Sequence, residues 1–277
     1  MCSIDLATII QAVSGTDFLV VEAESPILVC VLGSFRLLKS GSPVAVRSGG
    51  KTEALLCSLA LRPTPGLPRD TLRSTLWPAS ELHRTAQSLN SLVHSLHKRL
   101  GDALGGAAPV LLVDGCYRLN VEAGVRVDAA WFDALATAGE RAAAAGDHAV
   151  AAALYRQAVD TYRGDLCCAG TDLHAVVERE RLRALSLTVR ARLADYHYEQ
   201  GDYTACLDQA HGLLAADPCR EEAHRLAMRC YMRRGERAQA LREYRLCEQI
   251  LRAEFDAAPE AATTALFDQV RLDPNGI

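Results

Sequence analysis

Residues 81–101 read ELHRTAQSLNSLVHSLHKRLG, and the spacing of their apolar positions decides how the rest of the chain is read. Leu89, Val93, Leu96 and Leu100 recur at helical intervals and mark one apolar stripe. The opposite face carries Arg84, Gln87, Ser91, His94, Ser95 and Lys98, which are short, polar or basic, with no acid among them. A helix split in this way buries one side and offers the other to an anionic, hydrogen-bonding groove. A plain solvated helix has the same split, so the flanking segments must decide.

Upstream, ILVCVLGSFRLL (27–38), the turn KSGSP and VAV (44–46) read as two or three short antiparallel strands. Lys51 opens a helix, TEALLCSLALRP, stopped by Pro63 and Pro65. A second helix, RDTLRSTLWP, begins near Pro68 with Asp70 as its cap and ends at Pro78. The opening stretch is the third. Downstream, PVLLVDGCYRLNV (109–121) reads as a hairpin whose Asp114-Gly115 suits a type I′ turn. Strands, three helices and a hairpin within roughly a hundred residues is the order of a winged helix-turn-helix. In that fold the third helix enters the major groove of double-stranded DNA and the hairpin is the wing. Arg118 on the wing then faces a phosphate or the minor groove. Lys51 and Thr52 open a helix whose N-terminal N–H groups suit a phosphate.

A rival motif overlaps that helix start. AVRSGGKT (45–52) matches a relaxed phosphate-loop pattern, with Ala45 in place of its first glycine. A nucleotide triphosphatase needs further parallel strands, one ending in a magnesium-binding Asp, and the chain beyond reads as helical. Ala45 also lacks the freedom that the tight turn requires.

From Val127 the pattern becomes helical. VDAAWFDALATAGERAAAAGDHAVAAALYRQAVDTYRGDL holds two helical runs separated by Gly146-Asp147, and a long helix follows from about Ala175 to Gln200. Gly201-Asp202 and Gly235-Glu236 are 34 residues apart, each between helical runs, and Asp217-Pro218 breaks the chain between them. That is the period of a tetratricopeptide array, a binding and assembly surface with no chemistry of its own. Gly146 lies 55 residues before Gly201, which reads as a first unit separated from the others by the long helix. The fold class is therefore mainly α with a small β component: a winged helix-turn-helix domain followed by an all-α tetratricopeptide-like repeat domain. The boundaries read as an acidic extension at 1–26, a DNA-binding domain at 27–122 and the helical domain at 127–277.

Charge supports the division. Residues 1–26 carry four acids and no Lys or Arg; residues 27–120 carry eleven Lys or Arg against five acids, a balance of +6; residues 121–277 stand at −6. A basic block between acidic ones points to a polyanion partner for that block alone. The chain is 49% hydrophobic and 23% charged, an ordinary globular balance, and its 277 residues suit about two domains. No apolar run approaches the ~18–20 residues of a membrane span. The start lacks the basic region of a secretory signal, so the expected setting is cytoplasmic, without membrane contact. The ten cysteines are scattered and form no CxxC, which suits buried thiols in a reducing compartment; the adjacent Cys167-Cys168 is the one spot that stands out. His83, His94 and His97 share the opening helix without a nearby carboxylate, which makes a poor zinc site. No nucleophile elbow frames any Ser, His and Asp, so the reading contains no catalytic set, no metal and no cofactor.

With these residues in view the chain resembles the SARP class of bacterial transcriptional activators, an OmpR-like winged helix fused to a bacterial transcriptional activator domain built on tetratricopeptide repeats. The resemblance runs through VLGSFRLL, ALLCSLALRP, TLRSTLWP, SLVHSLHKRLG and CYRLNV, then VDAAWFDAL, GDHAVAAALYRQAVDTYRGDL and GERAQALREYRLCEQILRAEF. It covers roughly residues 27–272, and its most specific part is RLCEQILRAEF with the Pro and ALF beyond. It implies promoter binding at direct repeats by two protomers side by side, and recruitment of RNA polymerase. It also implies that Arg84, Gln87, Ser91, His94, Ser95 and Lys98, with Arg118 on the wing, face DNA. A second reading starts from the arginine-poor polar face: a protein–protein adaptor or ligand-responsive scaffold whose winged helix has lost strong DNA binding.

Overall fold

The computed structural model describes residues 25–62, 64–77, 82–167 and 173–272, and the side chains of 82–87 are left aside. The helix expected at 4–13, the helix-ending Pro63 and Pro78, Cys168, and the side chains of His83, Arg84 and Gln87 lie outside that description.

The chain opens with β1 (Ile27–Cys30), β2 (Arg36–Lys39) and β3 (Ser42–Pro43). β1 is buried at every position because it is central: β2 pairs with it antiparallel and β7 (Val125–Val127) parallel, giving the order β3-β2-β1-β7. Its unbroken apolar run fits a strand covered on both faces. The KSGSP turn is a two-residue turn, Ser40 and Gly41 both having positive φ. Two expectations shift here. The third strand is Ser42–Pro43 rather than VAV, and Val44 and Val46 instead pack on the core as irregular chain. Val127, expected to begin the helical half, is the last residue of a strand in the first sheet.

Helix α1 (Lys51–Ala60) buries Leu55, Leu56 and Leu59, and α2 (Arg69–Leu76) buries Leu72 and Leu76. Asp70 does not cap α2: Pro68 holds the N-cap position, and Asp70 lies in the first turn paired with Arg73 at 3.1 Å. Pro68 is held there because Leu67–Pro68 (β4) pairs with β6. Helix α3 (Leu82–Leu100) follows, then a short 3-10 turn. Strands β5 (Val110–Val113) and β6 (Cys116–Leu119) form the hairpin, in a second sheet of order β4-β6-β5. Asp114 (φ 50°) and Gly115 (φ 78°) are both left-handed, as a type I′ turn requires.

The helical half comprises α4 (Asp128–Ala144), α5 (His148–Thr161), α6 (Leu173–Glu199), α7 (Tyr203–Ala216), α8 (Glu221–Arg233), α9 (Arg237–Phe255) and α10 (Ala261–Leu272). Three hairpins share one stop signal. Gly146, Gly201 and Gly235 have positive φ, and the next residue's N–H bonds a carbonyl five back: Asp147 to Ala142, Asp202 to His197, Glu236 to Tyr231. This is the Schellman closure. The long helix is therefore no insertion between units. It is the first helix of the second hairpin, extended at its start, and together with the longer connection ahead of it this accounts for the wider first spacing. Helix α10 closes the array against α8 and α9, with the Tyr244 and Phe267 rings stacked 4.0 Å apart.

One core runs from Ile27 in β1 through α1, α3 and β6 to Phe132, Leu154 and Leu193 in α4, α5 and α6. Two backbone devices reinforce it. The chain after α5 lies beside the end of β1, with Cys167 N–H bonded to Val31 O at 2.8 Å and Gly33 N–H to Asp165 O at 2.9 Å. Asp128, 2% exposed, accepts from Val31 N (2.8 Å) and Leu32 N (3.0 Å). The glycine-rich loop ahead of Lys51 leaves from β3, the antiparallel edge of its sheet, whereas a phosphate loop leaves a strand of a parallel sheet.

Candidate nucleic-acid interface

Helix α3 separates its faces as its sequence requires. Leu89, Leu96 and Leu100 are at most 1% exposed, while Ser91, His94, Ser95 and Lys98 are all exposed, together with Ser88. Burial of the leucine stripe against α1, α2 and β5 orients the helix.

Polar contacts then fix its position along that groove. The Asn90 side-chain oxygen accepts from the Arg69 guanidinium of α2 (3.1 Å) and from the Tyr117 hydroxyl of β6 (3.4 Å). Helix, preceding helix and wing are thereby tied at one residue. At the other end, Lys39 of β2 donates to the Arg99 carbonyl (3.2 Å) and to Asp102 (2.7 Å). The Lys39 ammonium holds the Asp102 carboxyl below the usual carboxylate range. Arg99 reaches back to the Ala45 carbonyl. His97 turns to the Gly106 carbonyl at 3.1 Å, in space that exists because Gly101 has no Cβ: one would sit 2.7 Å from the imidazole. His94 and His97 therefore serve different faces.

Of the other expected contacts, Lys51 is exposed but engaged, and Thr52 and Arg118 are half-buried. Lys51 donates to the Leu76 carbonyl at the end of α2 and lies 5.8 Å from the centre of the Trp77 ring. Thr52 is half-buried beside it, and Glu53 reaches back to bond Gly49 N–H at 3.0 Å, at the mouth where a phosphate was expected. Arg118 is half-buried, pairs with Glu122 at 3.4 Å, and its Nε is enclosed without a partner. The hairpin tip is formed by Asp114 and Gly115, so Arg118 belongs to the wing's flank. The structure thus gathers Ser91, His94, Ser95 and Lys98 on one exposed surface and sets Lys51 and Arg118 into local contacts, with Thr52 half-buried. Asn90 and Lys39 were not singled out by sequence, because each acts through partners more than twenty residues away.

A strand–helix–hairpin module whose first strand joins a series of helical hairpins defines the class: a SARP-type regulator. The chain belongs to the bacterial transcriptional activator domain family, whose profile matches residues 127–271, just over half its length. It is 28% identical to the regulatory protein AfsR of Streptomyces coelicolor over 88% of this chain, and spans only 24% of AfsR. It is 28% identical to the regulatory protein DnrI of Streptomyces peucetius, over 81% of this chain and 85% of DnrI. Mycobacterium tuberculosis EmbR, solved in complex with a low-affinity phosphopeptide, shares the fold. Its TM-score is 0.69 at 24% identity, covering 90% of this chain and 65% of that one.

Among the described residues no helix is long and apolar enough to cross a membrane, and no three His, Cys, Asp or Glu side chains are grouped to hold a metal ion.

Proposed function

We propose that this chain is a sequence-specific DNA-binding transcriptional activator working in the cytoplasm. Residues 27–122 form the DNA-binding domain and 127–277 the protein-contact domain, with 1–26 as an acidic extension. Helix α3 enters the major groove and presents Arg84, Gln87, Ser91, His94, Ser95 and Lys98. The β5–β6 hairpin lies along the backbone with Arg118 at its flank, and Lys51 and Thr52 mark a phosphate contact from the start of α1. Two protomers bind direct repeats side by side and the helical array recruits RNA polymerase. The observation that carries this reading is the acid-free exposed face of α3, backed by a buried leucine stripe and braced to the wing through Asn90.

Selection of random duplexes on the purified chain tests binding and specificity together. Lys98→Ala weakens binding at all sequences and flattens the dependence of log K on log salt by about one unit. An unchanged slope removes Lys98 from the phosphate contacts. Gln87→Ala relaxes preference at one base pair and leaves the salt slope alone.

A second reading has its own support: Lys51 and Arg118 are already engaged within the protein, which reduces the phosphate grip. In it the chain is a protein–protein adaptor or ligand-responsive scaffold with a weakened winged helix. Absence of duplex retention at about 100 mM salt after deletion of residues 1–26 selects it over the first.

A further inference from the structure

Away from α3, helix α9 turns one long face to solvent. It packs against α8 and α10 and buries Ala240, Glu243, Tyr244, Cys247 and Leu251. At about 100° per residue, the opposite face carries Arg242, Arg245, Leu246, Gln249, Arg252 and Ala253, all exposed. No acid lies within that sector. Glu248 and Glu254 stand at its two borders, each one residue's rotation away from Gln249 or Ala253.

The face is divided lengthwise. Along one side Leu246, Ile250 and Ala253 form a mostly apolar groove of about 540 Å³ with Pro218 and Cys219 of the α7–α8 turn. Leu246 is 47% exposed in it. Along the other side stand Arg245 and Arg252, and among the described residues neither has an ion-pair partner. Arg242, between the two rows, bonds the Gln239 side chain at 3.0 Å. An apolar row beside a row of free guanidinium groups is complementary to a helix whose apolar stripe is bordered by carboxylates.

The chain itself carries such a segment. Residues 1–24 lie outside the described residues, and their sequence places Leu6, Ile9, Ile10 and Val13 at i, i+3, i+4 and i+7, the anchor spacing of a helix seated in a groove. Asp5 precedes the stripe, Asp17, Glu22 and Glu24 follow it, and the segment has no Lys or Arg. The basic face of α3 is the competing seat. Its exposed positions are Ser88, Ser91, His94, Ser95 and Lys98, which offer no apolar row to Ile9 and Ile10. Only α9 offers both rows together.

We propose that residues 1–24 dock on the outer face of α9, with Leu6, Ile9, Ile10 and Val13 in the groove and the flanking carboxylates on Arg245 and Arg252. The segment is tethered at Ser25, which is buried where the described chain begins, so it arrives from the same chain or from a second copy. While docked it closes this face of the helical array to other partners. The contact stands apart from α3 and does not depend on the DNA-binding reading.

Photo-cross-linking of the full chain at low salt tests it, with p-benzoylphenylalanine placed at Gln249 and, as the control, at Ser91. The Gln249 probe captures residues 1–24, identified by peptide mass spectrometry. Product of single-chain size assigns the contact to the same chain, and product of twice that size, rising with concentration, to a second copy. Ile9→Asp with Ile10→Asp lowers the yield by about fivefold or more, since it removes two anchors. Arg245→Glu with Arg252→Glu lowers it by about threefold or more, and adding Asp5→Lys with Asp17→Lys restores it. The arginine changes leave the thermal midpoint within error, because both side chains are exposed and unpaired. Absence of cross-links from Gln249 to residues 1–24 overturns the proposal. So do capture of α9 of a second copy in their place, capture of residues 1–24 at Ser91 alone, a yield indifferent to the isoleucine changes, or failure of the charge exchange to restore it.

Discussion

Asp128 ties the start of the helical half to the end of β1 through its side chain. It is buried at the start of α4, yet its carboxylate accepts from Val31 and Leu32 at the end of β1 and from its neighbour Ala129. Burial pushes its carboxyl up to about 6; the three N–H donors and nearby Arg36 oppose that rise by favouring the charged form. Asp128→Ala strands two enclosed N–H groups and is expected to lower stability by about 2–4 kcal/mol in a urea titration. A change under about 0.5 kcal/mol would show that water replaces the carboxylate. His224, fully buried in α8, is the second such residue. Its Nδ1 lies 2.7 Å from Glu243 and its Nε2 2.9 Å from the Pro218 carbonyl. Two acceptors require both nitrogens to donate, so the ring is held as imidazolium. Burial alone would lower its pKa, but Glu243, Pro218 and Glu221 outweigh burial and raise it. The folded value exceeds the unfolded one, so the stabilisation is complete below about pH 6.5 and fades as pH rises through the raised value. Urea midpoints of the parent and Glu243→Gln, taken from about pH 6 to pH 9, should converge as pH rises. Parallel curves would mean that the pair does not titrate with folding.

Among the elements, α3 and the glycine-closed hairpins follow most directly from their sequence patterns. The leucine stripe of α3 and its exposed face were legible because both lie on one helix with one period. Its bracing was not, since Asn90 and Lys39 acquire roles only once distant strands arrive. The three turns at Gly146, Gly201 and Gly235 repeat one hydrogen-bonding pattern although only the last two keep the 34-residue spacing. Period alone therefore left the first hairpin ambiguous, and the extended α6 explains why. Gly235 needs its left-handed φ of 75°, and a Cβ there meets nothing within 4 Å. Gly235→Ala should consequently cost only the backbone penalty, about 1–2 kcal/mol, read by thermal denaturation. A larger loss would reveal a packing role that the open surroundings do not suggest.

For the whole molecule, β1, α1, α3 and α4–α6 share one apolar core, which predicts that the winged helix and the first hairpins open together. Native-state hydrogen exchange should give Val29 in β1 and Leu135 in α4 the same free energy of opening. Values differing by more than about 1 kcal/mol would mean that the halves open separately. The sequence by itself determined the order of strands, helices and hairpin, the type I′ turn at Asp114-Gly115, the buried and open faces of α3 and the repeat closures. Each of these is set by spacing or backbone preference within one short segment. Tertiary structure alone decided that β7 returns to pair with β1, that Asp128 clamps the end of that strand, and that Arg118 and Lys51 are drawn into local contacts. Those outcomes depend on which distant groups meet as the core closes, and no local period encodes that meeting.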